Sequence, residues 1–118
     1  MSTDPREILN ELNKGARAVG SLDSELMQAY VGLREVVYHK PGALERKIRE
    51  LLALVIALCK NCKPCIVHHT NEALKAGASR QELIEAGFVA VQMGGGPALV
   101  NVIVLKESID TFAPDHER

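Results

Sequence analysis

Apolar residues recur every three or four positions along almost the whole chain, and no stretch shows the strict alternation of a half-buried strand. This periodicity confines the chain to an all-α fold, a compact bundle of about six helices. A first helix is predicted from Pro5, with Asp4 as N-cap, Ile8, Leu9, Leu12, Ala16 and Val19 on its apolar stripe, and Gly20 as its end. A second runs from about Asp23 to Tyr38 with Leu26, Tyr30, Leu33 and Val37 on one face, and Lys40-Pro41-Gly42 breaks the chain after it. A third spans about Ala43 to Cys59, with Leu44, Ile48, Leu51, Leu52, Val55, Leu58 and Cys59 as its stripe. Glu50 lies on the row that continues through Ala53, Leu54 and Ala57, where a charged face gives way to a buried one.

Asn61 is the expected N-cap of a fourth helix from Lys63 to Lys75, which tolerates Pro64 in its first turn and stops at Gly77. Ser79 and Glu82 have capping-box spacing and open a fifth helix that carries Leu83, Ile84, Phe88 and Val91. Gly94-Gly95-Gly96-Pro97 lacks the strand and lysine of a phosphate-binding loop and reads as a helix break. The last helix, Ala98 to about Phe112, is apolar from Ala98 to Leu105 except at Asn101. That is more than one buried stripe requires. The same holds for the second half of the third helix, so both are expected to pack against neighbouring subunits of a homo-oligomer. The polar tail from Ala113, which includes His116, is expected to fray.

With 118 residues, the chain is expected to be a single domain over residues 1–118. Fourteen Lys+Arg oppose 15 Asp+Glu and aromatic residues are 3% of the total, so neither the basic footprint nor the stacking surface of a nucleic-acid binder is present. The longest apolar run, Leu51 to Cys59, is nine residues, about half of what a bilayer span needs. No membrane association is expected. A charged N-terminus without an apolar signal segment points to the cytoplasm.

The informative segment is the cysteine cluster. All three cysteines, Cys59, Cys62 and Cys65, fall within seven residues, which suits redox or metal chemistry and not a disulfide framework. Cys62-Lys63-Pro64-Cys65 is a C-x-x-C at the start of a predicted helix, where free amides and the macrodipole favour a thiolate. One helical turn brings the two sulfurs close enough to cycle between dithiol and disulfide. His69, four residues after Cys65, shares its helix face. If the chain reverses near Lys60-Asn61, Glu50 and His69 come to similar heights at about 1.5 Å per residue, and a Cys65, His69, Glu50 proton relay becomes possible.

Glu50, eleven intervening residues, then Cys62-x-x-Cys65-x-x-x-His69 resembles the signature of the alkylhydroperoxidase AhpD family, within the carboxymuconolactone decarboxylase superfamily. The resemblance is strongest over residues 26–109 and takes in Pro41-Gly42-Ala43-Leu44, Ala76-Gly77-Ala78-Ser79 and the Gly94 to Pro97 break. It implies a helical fold assembled as trimers or hexamers, a small-molecule hydroperoxide substrate, a thiol or lipoyl electron donor, and no bound cofactor. It further implies that Cys65 attacks the peroxide and Cys62 resolves the sulfenic acid to a disulfide, while His69 and Glu50 move protons. Position on the helix alone favours Cys62 as the more acidic thiol, so the split of roles stays open. Superfamily members that decarboxylate carboxymuconolactone lack the cysteine pair, which argues against that activity here.

Two other readings stand beside this one. The dithiol can serve as a general reductase or electron-transfer partner for protein or lipoyl disulfides, or Cys59, Cys62, Cys65 and His69 can form a Cys₃His zinc site in a non-catalytic module. The helical stripe makes Cys59 a buried, inert thiol. His68 points about 100° away from His69 and reads as a surface or interface residue, His39 as a loop residue, and the mixed charges of Glu45-Arg46-Lys47 as a solvated face.

Overall fold

The computed structural model describes residues 2–114, so His116 and most of the tail lie outside the described residues. Six helices follow in order: α1 (Pro5–Gly20), α2 (Ser24–His39), α3 (Arg46–Cys59), α4 (Lys63–Lys75), α5 (Arg80–Gly94) and α6 (Gly96–Phe112). Among the described residues there is no strand. The start signals act as their chemistry requires: the Asp4 and Asp23 carboxylates accept from the amides of Arg6 and Leu26, and both reciprocal bonds of the Ser79–Glu82 capping box are made.

The α3 helix is the centre of the bundle and packs against α4, α5, α6 and α2, while α4 also meets α6 and α1. The core comprises Leu54, Leu58, Ile66, Leu83, Leu105 and Ile109, with the small residues Ala57, Ala73, Ala90 and Ala98 between them. Each buried leucine or isoleucine contributes about 1.5–3 kcal/mol. At Gly87 a Cβ would meet the Leu105 side chain at 2.9 Å, so α5 and α6 approach more closely than a larger residue permits. Gly87 and Ala90 face the core, and Phe88 is exposed.

Several expectations are corrected. The third helix begins at Arg46, not Ala43, because the Arg49 guanidinium donates to the carbonyls of Val37, Lys40 and Leu44 at 3.1, 2.6 and 2.9 Å and pins the preceding segment outside the helix. Its inward row is Glu50, Leu54, Ala57 and Leu58, whereas Leu44, Ile48 and Leu52 of the expected stripe are exposed. Cys59 is exposed rather than buried. A helix end that is apolar on every side gives periodicity no polar face from which to choose the inward one. Arg46 and Lys47 are not merely solvated, since they pair with Glu72 and Glu82 on neighbouring helices at 2.7 and 3.0 Å. His39 is the last residue of α2 and not a loop residue, and its ring is bonded to Glu35 one turn earlier. The last helix starts at Gly96, two residues early, directly after Gly95 turns the chain at φ 74°.

No residue of α2 is buried, although Leu26, Tyr30, Leu33 and Val37 share the face expected to pack. Among the described residues no helix is long and apolar enough to cross a membrane.

Candidate active site

The chain reverses between α3 and α4 through Lys60 and Asn61. Asn61 takes the left-handed conformation, φ 57°, which asparagine tolerates better than most residues, so it forms the turn and Cys62 occupies the N-cap position assigned to it by sequence. This turn is braced from α6. The side-chain amide of Asn101 donates to the Leu58 carbonyl at 2.8 Å and to Asn61 Oδ1 at 2.6 Å, which accounts for the one polar residue in an otherwise apolar stretch.

Cys62 and Cys65 are joined as a disulfide across the first turn of α4, with Cα atoms 5.2 Å apart. Both are partly exposed and line a cavity of about 210 Å³. Tyr38, Ala53, Ile56 and Ala57 give it mainly apolar walls, and Lys60 and His69 complete the lining. The site therefore opens to solvent yet offers an apolar surface beside the sulfurs.

The helical reversal brings Glu50 and His69 together, and His69 Nδ1 lies 2.7 Å from Glu50 Oε1. Glu50 is 1% exposed. A carboxylate removed from water needs a hydrogen-bond donor, and the imidazole N–H supplies it. An ionised Glu50 can only accept, so this contact places a proton on Nδ1 and leaves Nε2 as the basic nitrogen. The ring of His69 also packs between Tyr38, centroids 5.3 Å apart, and the edge of His68, 4.8 Å away. Cys62, Cys65 and His69 thus line one cavity, and Glu50 is joined to it through its bond to His69.

Burial, followed by the influence of His69, pushes the His68 imidazole below its ordinary pKa. Burial, reinforced by the charge of Glu50, raises the Tyr38 phenol. For Glu72 burial acts upward, but the hydrogen bond and charge of Lys75, with His68 and Arg46, hold the carboxyl below its usual range. Tyr38, Lys60 and Glu72 were not picked out from the sequence. Tyr38 and Lys60 reach the disulfide cavity through the packing of α2 and the turn before α4, and Glu72 lines an adjoining cavity one helical turn after His68.

Cys59 stands apart. Its Sγ lies against Gly94 and 3.6 Å from the Ala90 carbonyl, while Cys62 and Cys65 are bonded to each other. In this arrangement the three sulfurs and His69 do not converge as a four-ligand zinc site requires.

An all-helical bundle that carries a C-x-x-C disulfide beside a buried glutamate–histidine pair has the makings of a thiol–disulfide protein. A model of the carboxymuconolactone decarboxylase family matches residues 24–105. The chain belongs to that family. Its relatives include an uncharacterized protein of Cupriavidus necator, 34% identical over 82% of this chain and 85% of the relative. An alkyl hydroperoxide reductase AhpD of Corynebacterium aurimucosum is 30% identical over 66% of this chain and 44% of that protein. Among solved structures, a carboxymuconolactone decarboxylase family protein from Legionella pneumophila superimposes with a TM-score of 0.81 at 32% identity, covering 96% of this chain and 97% of that one. A family member from Thermotoga maritima, described as possibly involved in antioxidative response, gives 0.73 at 25% identity over 90% and 87% of the two chains.

Proposed function

We propose that this chain is a thiol-dependent hydroperoxide reductase of the AhpD type. The observation that carries the reading is the C-x-x-C disulfide in an accessible, mainly apolar cavity that also contains His69, itself held by buried Glu50. Similarity to an alkyl hydroperoxide reductase and to a family member described as possibly involved in antioxidative response supports it.

In this mechanism the Cys65 thiolate attacks the distal peroxide oxygen; an S–O bond forms, the O–O bond breaks, and the leaving alkoxide takes a proton from protonated His69 to depart as an alcohol. Cys65 is then a sulfenic acid. The Cys62 thiolate attacks that sulfur, the S–S bond forms, and hydroxide leaves as water with a proton returned through His69. Glu50 keeps Nδ1 protonated and stabilises the imidazolium between steps. Two electrons pass from the dithiol to the peroxide, and a thiol or lipoyl donor restores them. The test compares consumption of an organic hydroperoxide by the reduced chain with reduction of its disulfide by a lipoyl donor. Stoichiometric peroxide loss with disulfide formation is expected; lipoyl exchange without peroxide turnover would favour a disulfide reductase.

The same reading includes a homo-oligomer, a trimer or hexamer. Its support is α2, of which no residue is fully buried within one chain while Leu26, Tyr30 and Leu33 are each more than 60% exposed. Light scattering is expected to give a mass of three or six times 12.8 kDa, and Leu33→Asp is expected to reduce it. A monomeric parent chain would contradict this part of the proposal.

A further inference from the structure

A second, smaller cavity of about 60 Å³ shares Tyr38 with the disulfide cavity but is otherwise polar, with His39, His68, Glu50 and Glu72 in its lining. One ring nitrogen of His39 and one carboxylate oxygen each of Glu50 and Glu72 lie within 4.8 Å of one another. Among the described residues, no other such group of three or more His, Cys, Asp or Glu side chains occurs. We propose that this cluster is a binding site for a divalent transition-metal ion of the zinc class, with His39, Glu50 and Glu72 as ligands and His68 as the adjoining fourth donor.

Three features point to a cation. Glu50 is almost wholly buried, and its one hydrogen bond among the described residues, to His69, uses a single oxygen. The second oxygen is available to a metal, whose charge would offset the cost of burying the carboxylate. His39 Nδ1 is held at 2.7 Å by Glu35, the carboxylate–imidazole arrangement that orients metal-binding histidines and leaves Nε2 to ligate. The donors are nitrogen and oxygen in a mixed set, which suits zinc and its neighbours better than calcium or magnesium.

The surroundings set what binding must overcome. Arg46 and Lys75 pair with Glu72 at 2.7 and 3.3 Å, and Arg34 lines the cavity, so an entering ion competes with these cations for carboxylate charge. Donors bonded to zinc at about 2.0–2.2 Å stand roughly 3.4 Å apart in a tetrahedron, so the cluster, whose donors lie within 4.8 Å, must contract by up to about 1.4 Å. His39 is exposed in the last turn of α2, where no core packing opposes that movement.

The site shares Glu50 with the peroxidase reading, but its test measures binding and not turnover, so either can fail without the other. Zn²⁺ is titrated calorimetrically into the disulfide form of a Cys59→Ser chain, so that no thiol can ligate, and thermal midpoints are recorded with and without the ion. One ion per chain is expected, with a higher midpoint in its presence. His39→Ala, at an exposed position, and Glu72→Gln are each expected to weaken binding by about tenfold or more and to abolish the midpoint shift while circular dichroism shows the helices intact. Absence of saturable binding, or unchanged affinity in folded His39→Ala, would overturn the proposal.

Discussion

Cys65→Ser is expected to lower hydroperoxide turnover by about three orders of magnitude or more, because a serine hydroxyl at neutral pH is a far weaker nucleophile than a thiolate. Cys62→Ser is expected to lose sustained turnover as well, but to differ in one respect. It should still be oxidised once, and the resulting sulfenic acid on Cys65, with no neighbouring thiol to resolve it, should be trapped by a dimedone-type reagent. Both cysteines border the same cavity, so accessibility alone does not separate them. The contrast between the variants does. Cys62 sits at the N-cap and Cys65 three residues inside α4, and helix electrostatics alone would favour the former as the attacking thiolate. Trapping in Cys65→Ser and not in Cys62→Ser would reverse the roles.

Glu50→Gln is expected to reduce kcat/KM for hydroperoxide by about 10²–10⁴-fold, the usual range for loss of a proton-transfer arrangement. The side chain keeps its size in a fully buried position, so the bundle should survive. What changes is the proton. A carboxylate accepts from His69 Nδ1 across 2.7 Å, whereas a glutamine amide can present its NH₂ instead and stabilise the tautomer that carries the proton on Nε2. The imidazole is then a poor base toward the sulfur. The measurement is the pH dependence of kcat/KM beside the urea unfolding midpoint. Lost activity with an unchanged midpoint supports the relay, and full activity in a folded Glu50→Gln chain would remove Glu50 from the mechanism.

Much of this arrangement was legible in the sequence wherever the controlling interaction is local. Asp4-Pro5, Asp23 and the Ser79/Glu82 pair act on amides two or three residues away, and the helices begin where those residues stand. The Glu50–His69 pair was also within reach, because rise per residue fixes which positions face each other once two helices reverse at Lys60-Asn61. Other features depend on distant partners. The start of α3 is set by Arg49 reaching back to Val37 and Lys40, and His39 joins Glu50 and Glu72 only because α2 docks beside α3 and α4. The inward row of α3 was legible in part: Leu54 and Ala57 continue from Glu50 into the core, but a second half that is apolar all round gives periodicity no polar face by which to exclude Leu52. That glutamate belongs to the candidate site, where a rule of core composition is expected to fail.

The most direct test is the mass of the peptide from Asn61 to Lys75, which trypsin releases whole because proline follows Lys63. The fully reduced chain is exposed to one equivalent of an organic hydroperoxide and alkylated before digestion. The account predicts that the peptide arrives lighter by two hydrogens and unalkylated, with Cys62 and Cys65 joined. Recovery of the peptide with both cysteines alkylated and the hydroperoxide unconsumed would contradict it.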